Sequence, residues 1–163
     1  MMDPLTRDDI HAAFTPKQRR HVTPPDLGGR DWPTLDYLGW AHVSGHMAYV
    51  VYAREGETRG LVLRRTKLTG QMKPKMCSWC LTVHQGSNVN LFTAQVGDNR
   101  DKLYGDYMCN DLKCSAYVRG TAKLEACQMR ETISLDMKIV RLRANVERFY
   151  RAIYGQDVFP GPT

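Results

Sequence analysis

No window of this sequence approaches the roughly 18 consecutive apolar residues that a membrane span requires. Its opening stretch, Met1 to Asp9, has no apolar signal core and already carries acid. The expectation is a cytoplasmic protein that does not engage a membrane. Cysteine is scarce and odd in number, five in 163 residues, which argues against a disulfide framework and for metal-binding or redox thiols. There is no Gly-rich phosphate loop and no nucleophile paired with a base, so an enzyme is not expected. Internal repeats and low-complexity tracts are absent as well. Acidic residues are fewer than basic ones, 17 against 23, and the resulting charge of +6 points to an acidic partner such as nucleic acid or an acidic protein surface.

What is present reads as a soluble globular chain, 42% hydrophobic and 25% charged, long enough for one ordinary domain. We expect a single domain over 1–163, with an N-terminal portion over 1–70, a metal-binding portion over 71–155 and a tail over 156–163. Thr6 with Asp9 three residues on predicts a capped helix that puts Ile10 and Phe14 inward, ended by Pro16. Lys17 to Gly29 reads as loop, and Leu35 to Trp40 as a short strand or turn. Met47 to Ala53 and Leu61 to Leu63 are rich in β-branched and aromatic residues, and the polar run Arg54 to Gly60 between them predicts a hairpin. A second hairpin joins Val89–Ala94 to Leu103–Met108. Ser134 caps a long amphipathic helix whose apolar stripe is Leu135, Ile139, Leu142, Val146, Phe149 and Ile153. Gly155 ends it. Its basic residues Lys138, Arg141, Arg143, Arg148 and Arg151 lie off that stripe, as a solvated face.

Cys77-Ser-Trp-Cys80 is a C-x₂-C knuckle, and Cys109-Asn-Asp-Leu-Lys-Cys114 supplies a second close pair. Zinc takes four thiolates in a tetrahedron, and each pair can fill two corners from one tight turn. The second pair links a strand end to a helix start, so Cys114 falls in a first helical turn that favours a thiolate. Knuckle, hairpin, then helix is the order of a treble-clef zinc finger. The predicted fold is therefore α+β, with antiparallel hairpins, a treble-clef zinc finger and a long C-terminal amphipathic helix. One structural Zn²⁺ is the expected cofactor. Four thiolates leave no open position for catalysis. They also leave no place for His84, and Cys127 reads as an ordinary thiol. Lys73, Lys75 and Lys113 flank the ligands and can offset the site's formal charge of −2.

These residues, with Tyr107-Met108-Cys109 and Cys114-Ser-Ala-Tyr-Val-Arg-Gly120, resemble the zinc-finger domain of the elongation factor G-binding proteins, a family that includes the bacterial fusidic-acid-resistance proteins. The resemblance is strongest from Lys75 to the C-terminal helix and extends more weakly to Pro4-Leu5-Thr6. It implies a treble-clef module that docks on elongation factor G and promotes its release from the ribosome. The resistance proteins carry a helical bundle ahead of the zinc domain, for which a chain of this length is expected to have no room. Binding is thus the expectation, ahead of drug resistance.

Trp79 and Leu81, in and just after the knuckle, are candidate partner contacts, as a rigid turn loses little entropy on docking. The other reading of Trp79 is a cover for the zinc within the core. Arg100, Lys102 and Tyr104 extend the candidate face along the hairpin. The run from Arg64 to Lys75 holds Arg64, Arg65, Lys67, Lys73 and Lys75 and no acid, a pattern suited to phosphate contacts. It is a candidate nucleic-acid surface. The leading expectation is a zinc-stabilised module that binds elongation factor G, the ribosome or both to modulate translation. The alternative is a basic zinc finger that binds ribosomal RNA or other nucleic acid directly, including one that responds to zinc.

Overall fold

Threonine side chains start the first two helices. In α1 (Arg7–Ala12) the Asp9 N–H donates to Thr6 Oγ1 at 3.1 Å and the Thr6 N–H donates to Asp9 Oδ2 at 2.8 Å, completing a capping box. Pro16 does not end this helix. It opens a second one, α2 (Pro16–Arg19), capped by Thr15, because proline at a first helical position forfeits no hydrogen bond. The computed structural model that shows this describes residues 1–66 and 73–161.

Strands β1 (Leu38–Ala41), β2 (Met47–Arg54) and β3 (Glu57–Thr66) follow, then a small ladder of β4 (Lys75–Met76) with β5 (Val83–His84), then β6 (Val89–Val96) and β7 (Asn99–Cys109). Among the described residues the larger sheet runs β1-β2-β3-β6-β7, antiparallel throughout. Both expected hairpins form with tighter turns than their polar runs allow for. Glu55 and Gly56, at φ 52° and 81°, close the first as a two-residue loop whose twist suits antiparallel strands. Strand β3 pairs with β6 through Arg64–Thr93, Arg65–Phe92 and Thr66–Leu91. The N-terminal and metal-binding portions therefore share one sheet across the boundary placed near residue 70.

α3 (Cys114–Arg119) follows β7 and ends at Gly120, whose φ of 71° suits a glycine cap. α4 (Leu135–Tyr154) is capped by Ser134, which accepts the Met137 N–H at 3.3 Å. It packs Leu142, Val146, Phe149, Tyr150 and Ile153 into one core with Val50, Leu61, Leu63 and Phe92 of the sheet. Leu135, expected at the head of that stripe, is instead exposed, and burial on α4 begins only at Leu142.

A second core, Ile10, Phe14, Val22, Trp32, Tyr49 and Val51, involves the N-terminal helices and β2. A Cβ at Gly60 would lie 2.5 Å from the Phe14 ring, so only glycine permits that approach. The supposed tail also packs: Val158 and Phe159 are buried, Phe159 edge-on to Tyr52 and Tyr150. Burying these side chains outweighs the cost of ordering a short terminal stretch. Among the described residues no helix is long and apolar enough to cross a membrane.

Candidate metal centre and its flanking surfaces

Two tight turns bring the cysteines together. After Cys77 the chain folds back so that Leu81 N–H donates to the Cys77 carbonyl at 2.9 Å, and after Cys109 the Leu112 N–H donates to the Cys109 carbonyl at 3.0 Å. Each turn forces a leucine into the left-handed region, φ 60° at Leu81 and 56° at Leu112, at a cost of about 1 kcal/mol apiece. The Ser78 N–H donates to the Tyr107 carbonyl at 2.7 Å, fixing the knuckle to β7. Asn145 Nδ2 donates to the Trp79 carbonyl at 3.0 Å, fixing it to α4.

The four Sγ atoms of Cys77, Cys80, Cys109 and Cys114 lie within 4.8 Å of one another, all buried. Cys77 and Cys114 are 3.7 Å apart and Cys80 and Cys109 3.5 Å. Zinc–sulfur bonds of about 2.3 Å in a tetrahedron place sulfurs about 3.8 Å apart, so the donor set fits one zinc ion. Four soft ligands with no open corner make it a structural centre. Burial pushes the Cys114 thiol well up, while hydrogen bonds, that of Cys109 first, hold the Cys80 thiol down. Thiols this close share protons unevenly until a cation replaces those protons.

Tyr37 braces the second turn, donating to the Leu112 carbonyl at 2.8 Å and accepting the Cys114 N–H at 3.4 Å. His84 Nε2 sits 3.3 Å from Cys109 Sγ and its Nδ1 3.5 Å from Glu125 Oε1. It is a close outer neighbour of the four thiols. Asp36, a residue outside every expected motif, has its side chain fully buried against Arg119 at 2.5 Å and Arg143 at 2.9 Å. An acid inside the apolar run Leu35-Asp36-Tyr37 was the available signal.

Trp79 is not a surface residue. Its ring packs edge-on to Tyr37 at 5.2 Å and to Phe149 at 5.7 Å and is 0% exposed. Burying so large a ring is worth more than presenting it to solvent, so of its two readings the core one holds. Leu81 is half-buried and Met76, ahead of Cys77, is exposed. Tyr104 packs on Phe149 at 5.1 Å. Arg100 and Lys102 are exposed nearer the hairpin tip, in the stretch of β7 where its register with β6 is interrupted.

Arg64 stands in register with Thr93 and Gly105, on the sheet face opposite Tyr104. Arg65 is less available than expected: it lies in β3, not in a loop, and donates to Asn110 Oδ1 at 2.6 Å. Lys73 is exposed and Lys75 half-buried in β4, whereas Lys67 lies outside the described residues. The basic face of α4 is largely held in ion pairs: Arg141 with Glu131, Arg143 with Asp36, Arg148 with Asp106 and Arg151 with Glu147. Strands and loops outside α4 supply three of these four carboxylates, which helical periodicity alone does not reveal.

The family model described as the FBP C-terminal treble-clef zinc-finger matches residues 7–153. No curated protein matches the chain. The solved structure of the fusidic acid resistance protein FusC is similar over 93% of this chain and 60% of that one, with a TM-score of 0.63 and 17% identity. That likeness is one of fold, and the chain spans less than two thirds of FusC.

Proposed function

Because the chain belongs to the FBP C-terminal treble-clef zinc-finger family, matched over 7–153, we propose that it is a zinc-stabilised binding module for elongation factor G, acting there or on the ribosome to modulate translation. The match over nearly the whole chain carries this reading, together with the fold likeness to FusC. Cys77, Cys80, Cys109 and Cys114 hold the zinc. The metal fixes the knuckle and, through it, the neighbouring end of β7. Leu81 at that rigid edge, where little entropy is lost on docking, and Tyr104, Lys102 and Arg100 running from it toward the hairpin tip form the partner face. Trp79 supports the face from beneath.

The test is calorimetric titration of the zinc-loaded chain into purified elongation factor G at moderate salt. Saturable one-to-one binding that survives nuclease is the expected result; absence of binding overturns the reading.

A second reading is contact with ribosomal RNA, favoured by exposed Arg64 and Tyr107 on the sheet face away from α4, with Lys73 and Lys75 beyond the strand end. It predicts that neutralising Arg64, Lys73 and Lys75 together flattens the salt dependence of ribosome binding by about one unit of slope per lost phosphate contact.

A further inference from the structure

A surface helix ordinarily carries one apolar stripe, but α4 carries two. The first is buried in the core. The second is Met137, Val140 and Ala144, at spacings of three and four; Met137 is 57% exposed, Val140 59%, and Ala144 is exposed too. The segment leading into the helix adds Met129, 82% exposed, and the exposed Leu124 and Ile133. Of these, Leu124 and Met129 line a groove of about 180 Å³ together with Cys80, Thr82, Tyr117 and, next to Met137 in sequence, Lys138 of α4, among others. Cys80 and Thr82 flank Leu81, so the groove is continuous with the knuckle side of the partner face proposed above.

The charges around this patch are unbalanced. Of the carboxylates nearby, Glu131 is taken by Arg141, and Glu125 by the Gln85 N–H, Asn88 and His84, which leaves exposed Asp136. Lys123, Arg130 and Lys138 form no ion pair among the described residues. An apolar strip with three unpaired cations against one unpaired carboxylate, Asp136, selects an apolar side chain flanked by carboxylates. A second copy of a chain with net charge +6 is a poor match for that rim. Methionine is suited to such a contact, being flexible enough to mould itself to a partner.

We propose that the Met129–Met137–Val140 strip and its groove are the second half of the elongation factor G-binding face and receive an acidic-flanked apolar segment of that protein. The proposal rests on the reading above and extends it from the knuckle to the exposed side of α4.

The experiment is the same titration with Val140→Asp and with Lys138→Glu, alongside melting curves, and with a photo-reactive cross-linker at position 137. Unchanged melting, binding weakened tenfold or more by each substitution, and a cross-link from 137 to elongation factor G are the expected results. If the wild-type chain fails to bind, the reading of the partner falls and this proposal with it. If the wild type binds, the variants bind equally and no cross-link forms, only this proposal falls. Should a substitution lower melting as well, the cross-link decides alone. Wild-type dimers in sedimentation that Val140→Asp dissociates would assign the strip to a second copy and overturn the proposal.

Discussion

Arg119, the last residue of the helix that Cys114 begins, places its guanidinium on the buried carboxylate of Asp36 at 2.5 and 3.2 Å. The same carboxylate accepts from Arg143 of α4 at 2.9 Å. Asp36 precedes β1, so one side chain joins the start of the sheet, the zinc-finger helix and the long C-terminal helix. Substituting Asp36→Asn leaves two guanidinium groups short of a counter-charge. The expected loss of stability is about 3 kcal/mol, measured by denaturant unfolding. Arg143→Ala should cost less, because Arg143 is 38% exposed against 13% for Arg119. Equal unfolding midpoints for wild type and Asp36→Asn would show that the junction carries no stability.

Removing the metal is the second test. Structural zinc in small domains contributes about 10–16 kcal/mol of apparent binding energy, which is also folding energy. Cys80→Ser and excess chelator should each abolish the single bound zinc and lower the melting temperature steeply. A Cys80→Ser protein with one zinc per chain and an unaltered melt would show that Cys80 is not a ligand.

Trp79 separates packing from recognition. Trp79→Ala removes a fully buried ring and is expected to cost about 3–5 kcal/mol, whereas Trp79→Phe keeps most of the contact with Tyr37 and Phe149. Any loss of partner binding should therefore follow stability across the two variants. A Trp79→Ala protein as stable as wild type but unable to bind would return this residue to the interface.

Acid should release the segment between α3 and α4 early. The Glu125 carboxyl is held below its ordinary 4.5 chiefly by the Gln85 N–H, and the Glu131 carboxyl chiefly by Arg141. A carboxyl with a depressed folded pKa adds stability that is present above the unfolded value and disappears as pH falls through the folded one. The contribution should thus be intact at neutral pH and fade below about pH 4.5. Hydrogen exchange across residues 121–134 should rise there, and Glu131→Gln should blunt the rise. An identical pH profile in wild type and Glu131→Gln would exclude the ion pair as its source.

Gly39 tests how closely β1 must approach the second cysteine turn. A Cβ there would lie 2.9 Å from Leu112 Cβ and 3.0 Å from the Tyr37 ring. Gly39→Ala should cost about 1–3 kcal/mol through overpacking and loosen zinc, read as faster metal transfer to a chelator. An unchanged transfer rate would show that the turn absorbs the added methyl.

The parts legible beforehand are those written in short-range pattern. The caps at Thr6 and Ser134 depend on residues three positions on, and Cys77, Cys80, Cys109 and Cys114 carry ligand spacing in the chain itself. What eluded the pattern was long-range. Asp36 finds its partners 83 and 107 residues away, and the apolar run around it hints at burial without naming them. Proline interrupts helices, which makes Pro16 a stop by pattern, yet Thr15 ahead of it makes the same residue a start. Trp79 stood open between two environments because a knuckle fixes the backbone turn but not what packs over it.

By itself the sequence determined the local chemistry: four thiols in two close pairs, two hairpins, a capped amphipathic helix and an excess of positive charge. Each follows from spacing and side-chain type over a few residues, where backbone geometry leaves little choice. Only the tertiary structure decided which surfaces remain. It drew Trp79 inward between Tyr37 and Phe149, paired most of the basic residues of α4, set Arg64 and Tyr104 on opposite faces of the sheet, and left Met137 and Val140 in solvent. Burial and ion pairing are properties of neighbours brought together from distant positions, and the strand order that gathers them is not encoded in any one segment.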